Sequence, residues 1–309
     1  MALTAVKNGY FETAGIFVLF VLTVIVFGII VITFVRWVDC IARLGRVGST
    51  IEKVEKTTAM ALKRRRDAPN LGGVPVRACV AGRAVFATNV GYVQSIDIDA
   101  LQLWAQDAQV RVVVTALPGT FAAPDRALAY LSDTQGDPDG IDCKPVIDAF
   151  EIGVDRRFDD DPRFGLAVLS EIACRALSPA VNDPGTAIKV VGTLLRLFTL
   201  WSQPATAEDE HVRVSDRVEV PEVSVRDMFD DAFTATARDG ASMVEVSVRL
   251  QKALLCLASV GDSEMRDAAG HHGRLALERA RIGLDMEEDL AAVWGVARFP
   301  DAAAVSDSK

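Results

Sequence analysis

The longest apolar run in the chain lies close to its N-terminus. Residues 14–35 are 22 consecutive residues without a charged side chain, and Thr23 and Thr33 are their only polar members. An α-helix of that length rises roughly 33 Å, which matches a hydrocarbon core of about 30 Å. β-branched residues surround such a helix on all sides, as suits lipid. The pattern predicts one transmembrane helix over residues 14–36, preceded by an extracytoplasmic tail over residues 1–13.

An amphipathic helix is predicted directly after the span, over residues 37–66. Its apolar positions recur every three or four residues, and its opposite side is basic. The stripe includes Trp37, Ile41, Leu44, Ile51 and Val54. Such a helix either lies against lipid headgroups or packs on another helix, and the stripe favours the helix contact. The Pro- and Gly-containing residues 67–73 then form a linker.

Residues 74–155 read as a β-rich unit, because short alternating or apolar runs are separated by turn residues. Pro118-Gly119 is typical of a type II turn, and Asp99 is the expected cap of a short helix up to Ala108. We expect a small barrel or a sandwich-like unit. The predicted strands are Val74–Val80, Ala84–Phe86, Gly91–Ile96, Val110–Ala116 and Phe150–Ile152.

Residues 156–299 read as a helical domain, followed by a disordered tail over residues 300–309. Asp161-Pro162 and Asp183-Pro184 each combine an N-capping carboxylate with proline at the first helical position. Met243–Ala258 is apolar nearly all round and is predicted to be a central helix. The predicted fold class is therefore α+β and membrane-anchored: a transmembrane helix, an amphipathic helix, a β-rich unit and a helical bundle.

The distribution of charge predicts the orientation of the span. Residues 1–66 carry a net charge of +6, whereas residues 67–309 carry −15. The positive residues follow the span, as is typical of the cytoplasmic side. We expect the N-terminus outside the inner (plasma) membrane and the C-terminal domain in the cytoplasm. The basic segment would meet anionic headgroups of the lipid bilayer, and the acidic body argues against nucleic acid as a partner.

The five cysteines also fit a cytoplasmic body. Their number is odd and no two have Cys-x-x-Cys spacing, so free thiols are expected. Cys174 and Cys256 lie in apolar helical patterns, which predicts that both are small core residues.

Several strings together resemble the bacterial membrane-protein family called domain of unknown function 2254. The strings are Arg156-Arg-Phe-Asp-Asp-Asp-Pro-Arg-Phe-Gly165, Ile172-Ala-Cys-Arg-Ala-Leu-Ser-Pro-Ala-Val-Asn-Asp-Pro184, Gly91-Tyr-Val-Gln-Ser-Ile-Asp97 and Pro118-Gly-Thr-Phe121. The resemblance implies an integral membrane protein without an established activity. It also implies several spans in other members, of which this chain would carry the last as a short form.

The two Asp-Pro helix starts predict one candidate ligand site. Its residues would be Arg157, Asp161, Ser178, Asn182 and Asp183. Helix N-termini attract anions, and an arginine fork suits phosphate or carboxylate. The alternative is simple capping, in which both aspartates satisfy their own helices and repel anions.

Candidate chemistry beyond this site is thin. Asp159, Asp160 and Asp161 with Asp183 are a weak Mg²⁺ or Ca²⁺ hypothesis, because consecutive residues rarely converge on one ion. His211 lies in an acidic loop, and His271 and His272 point about 100° apart on a helix. The sequence contains no metalloprotease, nucleophile-elbow, P-loop or Rossmann motif, so no catalytic residue, metal or cofactor is predicted.

The leading functional hypothesis is a non-catalytic membrane-anchored protein with an assembly, scaffold or regulatory role. It would oligomerise through the span and the following helix, with copies of itself or with a membrane partner subunit. A sensor of an anionic small molecule at the Ser178–Asp183 turn is one alternative. A subunit of an oligomeric channel or transporter and a metal-dependent hydrolase are the others.

Overall fold

The computed structural model describes residues 13–44, 47–77, 82–132, 141–205 and 215–297. The chain divides into one unit up to Thr50 and a second unit from Ile51 onward, which we call the body. The first unit contains helix α1 (Thr13–Leu44), which confirms the apolar N-terminal helix. Its segment Phe17–Trp37 has a mean hydropathy of 3.2 and is not buried by other parts of the protein. Among the described residues it is the single helix long and apolar enough to cross a membrane. Of the predicted tail over residues 1–13 only Thr13 is described, and it begins α1; the predicted tail over residues 300–309 lies outside the described residues.

Helix α2 (Val47–Asp67) carries the second half of the predicted amphipathic stripe. From Ile51 onward this stripe is buried within the second unit: Ile51 and Leu62 are almost fully covered, and Val54 nearly so. All three belong to the core of the helical region. This part of α2 therefore packs on helices, the favoured one of the two alternatives. Whether α1 and α2 form one continuous helix depends on residues 45–46, which are outside the described part.

The β-rich region forms two sheets. The strands are β1 (Gly73–Val74), β2 (Arg83–Phe86), β3 (Gly91–Ile96), β4 (Arg111–Val114), β5 (Phe121–Ala122), β6 (Ala127–Ser132), β7 (Phe150–Gly153) and β8 (Ser215–Glu219). The larger sheet has the order β1-β8-β4-β6-β2, and the smaller has the order β5-β3-β7. Helices α3 (Ile98–Asp107) and α4 (Lys144–Asp148) complete the region. Residues of both sheets and both helices share one apolar core.

Neither sheet closes into a barrel in the described part of the chain, so the barrel alternative is not what forms. Strand β8 was not predicted, and it comes from the segment between two helices. It pairs in parallel with β4, with Val112 opposite Val218, and in parallel with β1, with Gly73 opposite Ser215. A strand from the mainly helical half of the chain thus completes the larger sheet.

The helical region contains six helices among the described residues, all near their predicted positions. They are α5 (Pro162–Leu177), α6 (Pro184–Trp201), α7 (Val225–Asp239), α8 (Val244–Val260), α9 (Ser263–Gly283) and α10 (Glu287–Val296). Phe198, Phe229 and Phe233 form the aromatic centre of the core, with ring centroids 4.4–5.5 Å apart. The prediction that Cys256 is a small core residue is wrong, because this residue of α8 is exposed.

The predicted helix starts hold at the two Asp-Pro sites. Asp161 accepts hydrogen bonds from the backbone N–H groups of Arg163 and Phe164. Asp183 accepts one from that of Thr186. The cap of α3 was misassigned: Asp97, not Asp99, accepts from the backbone of Ala100. Both Asp97 and Asp99 precede the apolar pattern of α3. Strand β3 ends at Ile96 and α3 begins at Ile98, so Asp97 takes the capping position.

Candidate functional site

The start of α5 is built around the buried carboxylate of Asp161. This side chain is 2 % exposed and accepts two hydrogen bonds from Arg156, at 2.7 Å from Nε and 3.0 Å from Nη2. Gly119 lies against the same carboxylate with φ +94°, and a Cβ on Gly119 would overlap the carboxylate oxygens. The backbone N–H of Thr120 donates to the carbonyl of Leu117, which confirms the predicted Pro118-Gly119 turn. Glycine is required here for both conformation and space.

A polar cleft opens beside this ion pair. It lies between the turn at Leu117–Thr120, the start of α5 and the start of α7, and has a volume of about 250 Å³. Its charged lining consists of Arg156, Asp161, Arg163, Glu222 and Asp227. Three segments that are far apart in the sequence therefore meet at one concave site.

Arg163 ties α5 to α7 at the wall of the cleft. Its Nη1 donates to Asp227 at 2.8 Å and its Nε to Asp231 at 2.7 Å. Burial disfavours the charged guanidinium, but the hydrogen bond and charge of Asp231 and the charge of Asp227 outweigh it and raise the pKa of Arg163. Arg163 stays positively charged and both carboxylates are paired with it.

The residues predicted for the ligand site do not meet at one place. Asp161 and Ser178 lie at opposite ends of α5, whose 16 residues rise about 24 Å. Arg157 is half-exposed and donates to Glu151 at 2.7 Å, so it points away from Asp161. The arginine next to Asp161 is Arg156, its immediate neighbour in sequence.

The turn between α5 and α6 is exposed and internally satisfied. The Ser178 hydroxyl donates to the carbonyl of Arg175, and Asn182 has φ 49°. Asp183 accepts hydrogen bonds from the hydroxyl and the backbone N–H of Thr186, which lower the pKa of Asp183. The geometry matches the capping alternative described for this turn.

The described residues contain no group of three or more His, Cys, Asp or Glu side chains placed to hold a metal ion. Asp159 lies 3.7 Å from Arg64, and the carbonyl of Asp160 accepts from Arg65, so consecutive aspartates face different partners. His211 lies outside the described residues.

The basic run Lys63–Arg66 is largely taken up by contacts within the body. Arg65 is buried, and its Nη2 donates to the carbonyl of Asp160 at 3.2 Å. Burial lowers the pKa of Arg65 to about 10, although the charges of Asp160 and Asp161 act in the opposite direction. Arg66 donates to Asp67 and to the carbonyl of Leu200.

Sequence reasoning missed four of the five charged residues of the cleft. Arg156 and Arg163 both lie in the string Arg156–Gly165, which resembles the family. That string contains three arginines, and the sequence alone does not show which of them face the cleft. Glu222 and Asp227 follow β8 in the sequence. Because β8 was not predicted, the proximity of these two carboxylates to the Pro118-Gly119 turn was not predicted either. The sole sequence signal for them was the capping pattern at Ser224, which accepts from the N–H of Asp227.

His272 was also unassigned by the sequence. Its side chain is 1 % exposed and packs against Phe229 and Phe233, with Nε2 3.1 Å from a carboxylate oxygen of Asp230. Burial lowers the pKa of His272 to about 4, against the opposing charge of Asp230. It is a neutral core residue at pH 7.

The described residues combine one apolar helix that is long enough to cross a membrane with a mixed α/β region, which confirms the predicted fold class. The sequence model of the family "Predicted membrane protein (DUF2254)" matches residues 1–255, and the chain belongs to this family. It is 30 % identical over 128 residues to the uncharacterized proteins MT1328 and Rv1290c of Mycobacterium tuberculosis, and equally to Mb1321c of Mycobacterium bovis. The match covers 40 % of this chain and about a quarter of the length of each relative. No solved structure matches.

Proposed function

We propose that the chain is a non-catalytic, membrane-anchored regulatory or assembly protein whose body lies on the cytoplasmic side of the inner membrane. The observation that carries this proposal is the packing of α2. This helix begins at Val47, shortly after the apolar helix ends at Leu44, and most of its length is part of the folded body. The body is thus built onto the chain segment next to the membrane helix.

Both apolar and charged contacts hold α2 in the body. Thr58 packs against Gly165 of α5, where a Cβ on the glycine would overlap the threonine side chain. Arg196 of α6 makes a two-pronged contact with Glu55, both hydrogen bonds being 2.7 Å long. Such contacts resist sliding of α2, since a shift of one turn would break them together. These contacts fix α2 within the body from Ile51 onward.

Assembly is the second part of the proposal. A second copy of the chain, or a membrane partner subunit, would pack on the apolar helix, whose segment Phe17–Trp37 is not buried by other parts of the protein. Anionic headgroups would be contacted mainly by exposed basic residues such as Lys53 and Lys63, since Arg65 and Arg66 are held by the body.

The oligomeric state of the full chain in lipid nanodiscs tests the assembly. We expect a defined oligomer by light scattering at micromolar protein. Replacement of Ile25 and Ile29 by alanine should weaken it, whereas the alanine variant of exposed Leu103 in α3 serves as the control. A strict monomer at this concentration would contradict the proposal.

The orientation is tested with the exposed thiol of Cys256 in a variant whose other four cysteines are serine. A maleimide that cannot cross the inner membrane should label Cys256 only after permeabilisation of the cells. The further exchange Cys256→Ser removes the signal and serves as the control. Labelling in intact cells with a sealed inner membrane would place the body outside and overturn the orientation.

A further inference from the structure

The charges lining the cleft are unequal in number and unequally paired. Two arginines, Arg156 and Arg163, face three carboxylates, those of Asp161, Glu222 and Asp227. Asp161 and Asp227 are each bound by an arginine. Within the described part of the chain, the side chain of Glu222 has neither a hydrogen bond nor an ion pair. The lining therefore offers one unpaired carboxylate and a formal net charge of −1.

The lining also keeps hydrogen-bond donors on the guanidinium groups. Each guanidinium carries five N–H bonds. The contacts described use Nε and Nη2 of Arg156, and Nε and Nη1 of Arg163. The Nη1 group of Arg156 and the Nη2 group of Arg163 are left to donate to a further acceptor.

The two helix starts at the cleft contribute little to binding an anion. The N–H groups of Arg163 and Phe164 are bound by Asp161, and that of Asp227 by Ser224. The N–H of Val225 donates to Glu264. Anion binding at a helix N-terminus needs unsatisfied N–H groups, and these are already capped.

We propose that this cleft binds a compact zwitterion of the free amino acid class. The ammonium group would pair with Glu222, and the carboxylate would accept from the remaining N–H groups of Arg156 and Arg163. A simple anion meets a net negative lining, and a simple cation leaves the guanidinium donors unmatched. The volume of about 250 Å³ lies just below the range of about 300–1,000 Å³ of drug-sized ligand pockets, which suits a small molecule.

Calorimetric titration of the full chain in nanodiscs tests the proposal. The probes are the common amino acids, with methylamine, acetate and inorganic phosphate as single-charge comparisons, each up to ~10 mM, which reaches millimolar affinities. We expect saturable binding of at least one amino acid and at least tenfold weaker binding of all three comparison probes.

Two matched variants separate the cleft from the rest of the surface. Glu222→Gln removes the unpaired carboxylate, and we expect it to weaken amino acid binding at least tenfold without changing the melting temperature. Glu245→Gln makes the same chemical change at an exposed position of α8, outside the cleft lining, and should leave the affinity unchanged.

Three results would overturn the proposal. They are an absence of saturable binding for every amino acid, an affinity unchanged by Glu222→Gln, and tighter binding of phosphate than of any amino acid. The proposal is independent of the oligomeric state and of the orientation in the membrane, so those experiments do not decide it.

Discussion

The side chain of Thr58 occupies the space that a Cβ on Gly165 would need. The Thr58 hydroxyl donates to the carbonyl of Val54 at 2.7 Å, so its orientation is fixed within α2. Thr58 is 1 % exposed, and Leu166, next to Gly165, is fully buried. The close approach of α2 and α5 thus depends on the absence of a side chain at one position.

Gly165→Ala is predicted to destabilise the body. The added methyl group must displace Thr58 or separate the two helices, which costs about 1–3 kcal/mol of unfolding free energy. Denaturant unfolding in mild detergent measures the change. Gly192→Ala in α6 is the control, because the nearest atom to its Cβ would be Arg249 Nη2 at 3.4 Å. The control should be neutral or up to about 1 kcal/mol more stable, since alanine favours helix. Equal losses in both variants would contradict the packing argument.

Asp161→Asn is predicted to cost about 2–3 kcal/mol of stability. Asparagine can still cap α5, but Arg156 loses a buried, oppositely charged partner. Asp183→Asn changes an exposed cap and should stay within about 0.5 kcal/mol. A double-mutant cycle of Asp161→Asn with Arg156→Gln measures the coupling. Additive effects would show that the pair contributes nothing beyond the cap.

The stability of the helical region is predicted to fall as the pH drops from about 6.5 to 4. Burial lowers the pKa of His272 to about 4, while Asp230 raises it and His271 and Arg279 lower it further. An unfolded chain binds a proton at this histidine near pH 6.5, but the folded chain resists protonation until about pH 4. The loss over this range is on the order of 3 kcal/mol.

His272→Leu tests this assignment. The variant lacks the titrating ring, so its unfolding free energy should fall less between pH 8 and pH 4 than that of the unchanged chain. His271→Leu, at the half-buried neighbouring position, is the matched control and should keep most of the pH dependence. If the unfolding free energy of both variants falls with pH as steeply as that of the unchanged chain, the pH dependence arises from another group.

The thiols of Cys256 and Cys174 are predicted to react at different rates. Cys256 is exposed, whereas burial and the neighbouring Asp239 raise the pKa of Cys174 to about 12. The thiolate is the reacting species, so Cys174 stays unreactive near pH 8. Maleimide labelling of chains carrying one of the two cysteines should give faster modification at Cys256, and unfolding should abolish the difference. Comparable labelling rates of Cys174 and Cys256 in the folded state would contradict this prediction.

Much of the fold followed from local patterns because those patterns are themselves the cause of the structure. The apolar run, the stripe of α2 and the caps Asp161 and Asp183 depend on periodicity and on hydrogen bonds within a few residues. Strand β8 has no such local pattern, since four of the five residues of Ser215–Glu219 are charged or polar. Its stability comes from parallel pairing with β1 and β4, which are about a hundred residues or more away.

The candidate site was predicted only in its parts. Asp161 was correctly placed as a cap, but its partner Arg156 could not be told from Arg157, because β7 and the following turn decide which of the two faces inward. The grouping of Asp161 with Ser178 ignored the length of α5 between them. Glu222 and Asp227 required knowledge of where the chain returns after β8.

Strand β8 also limits how the protein can be divided. A fragment ending before Ser215 would leave β4 with one bare side and β1 without a neighbour, and a fragment starting after Gly153 would carry β8 with nothing to join. Expressed separately, either fragment should aggregate, because an unpaired strand or an exposed sheet edge pairs with other chains. Halves supplied as two polypeptides should instead find each other through this strand, which makes the protein a candidate for complementation in trans.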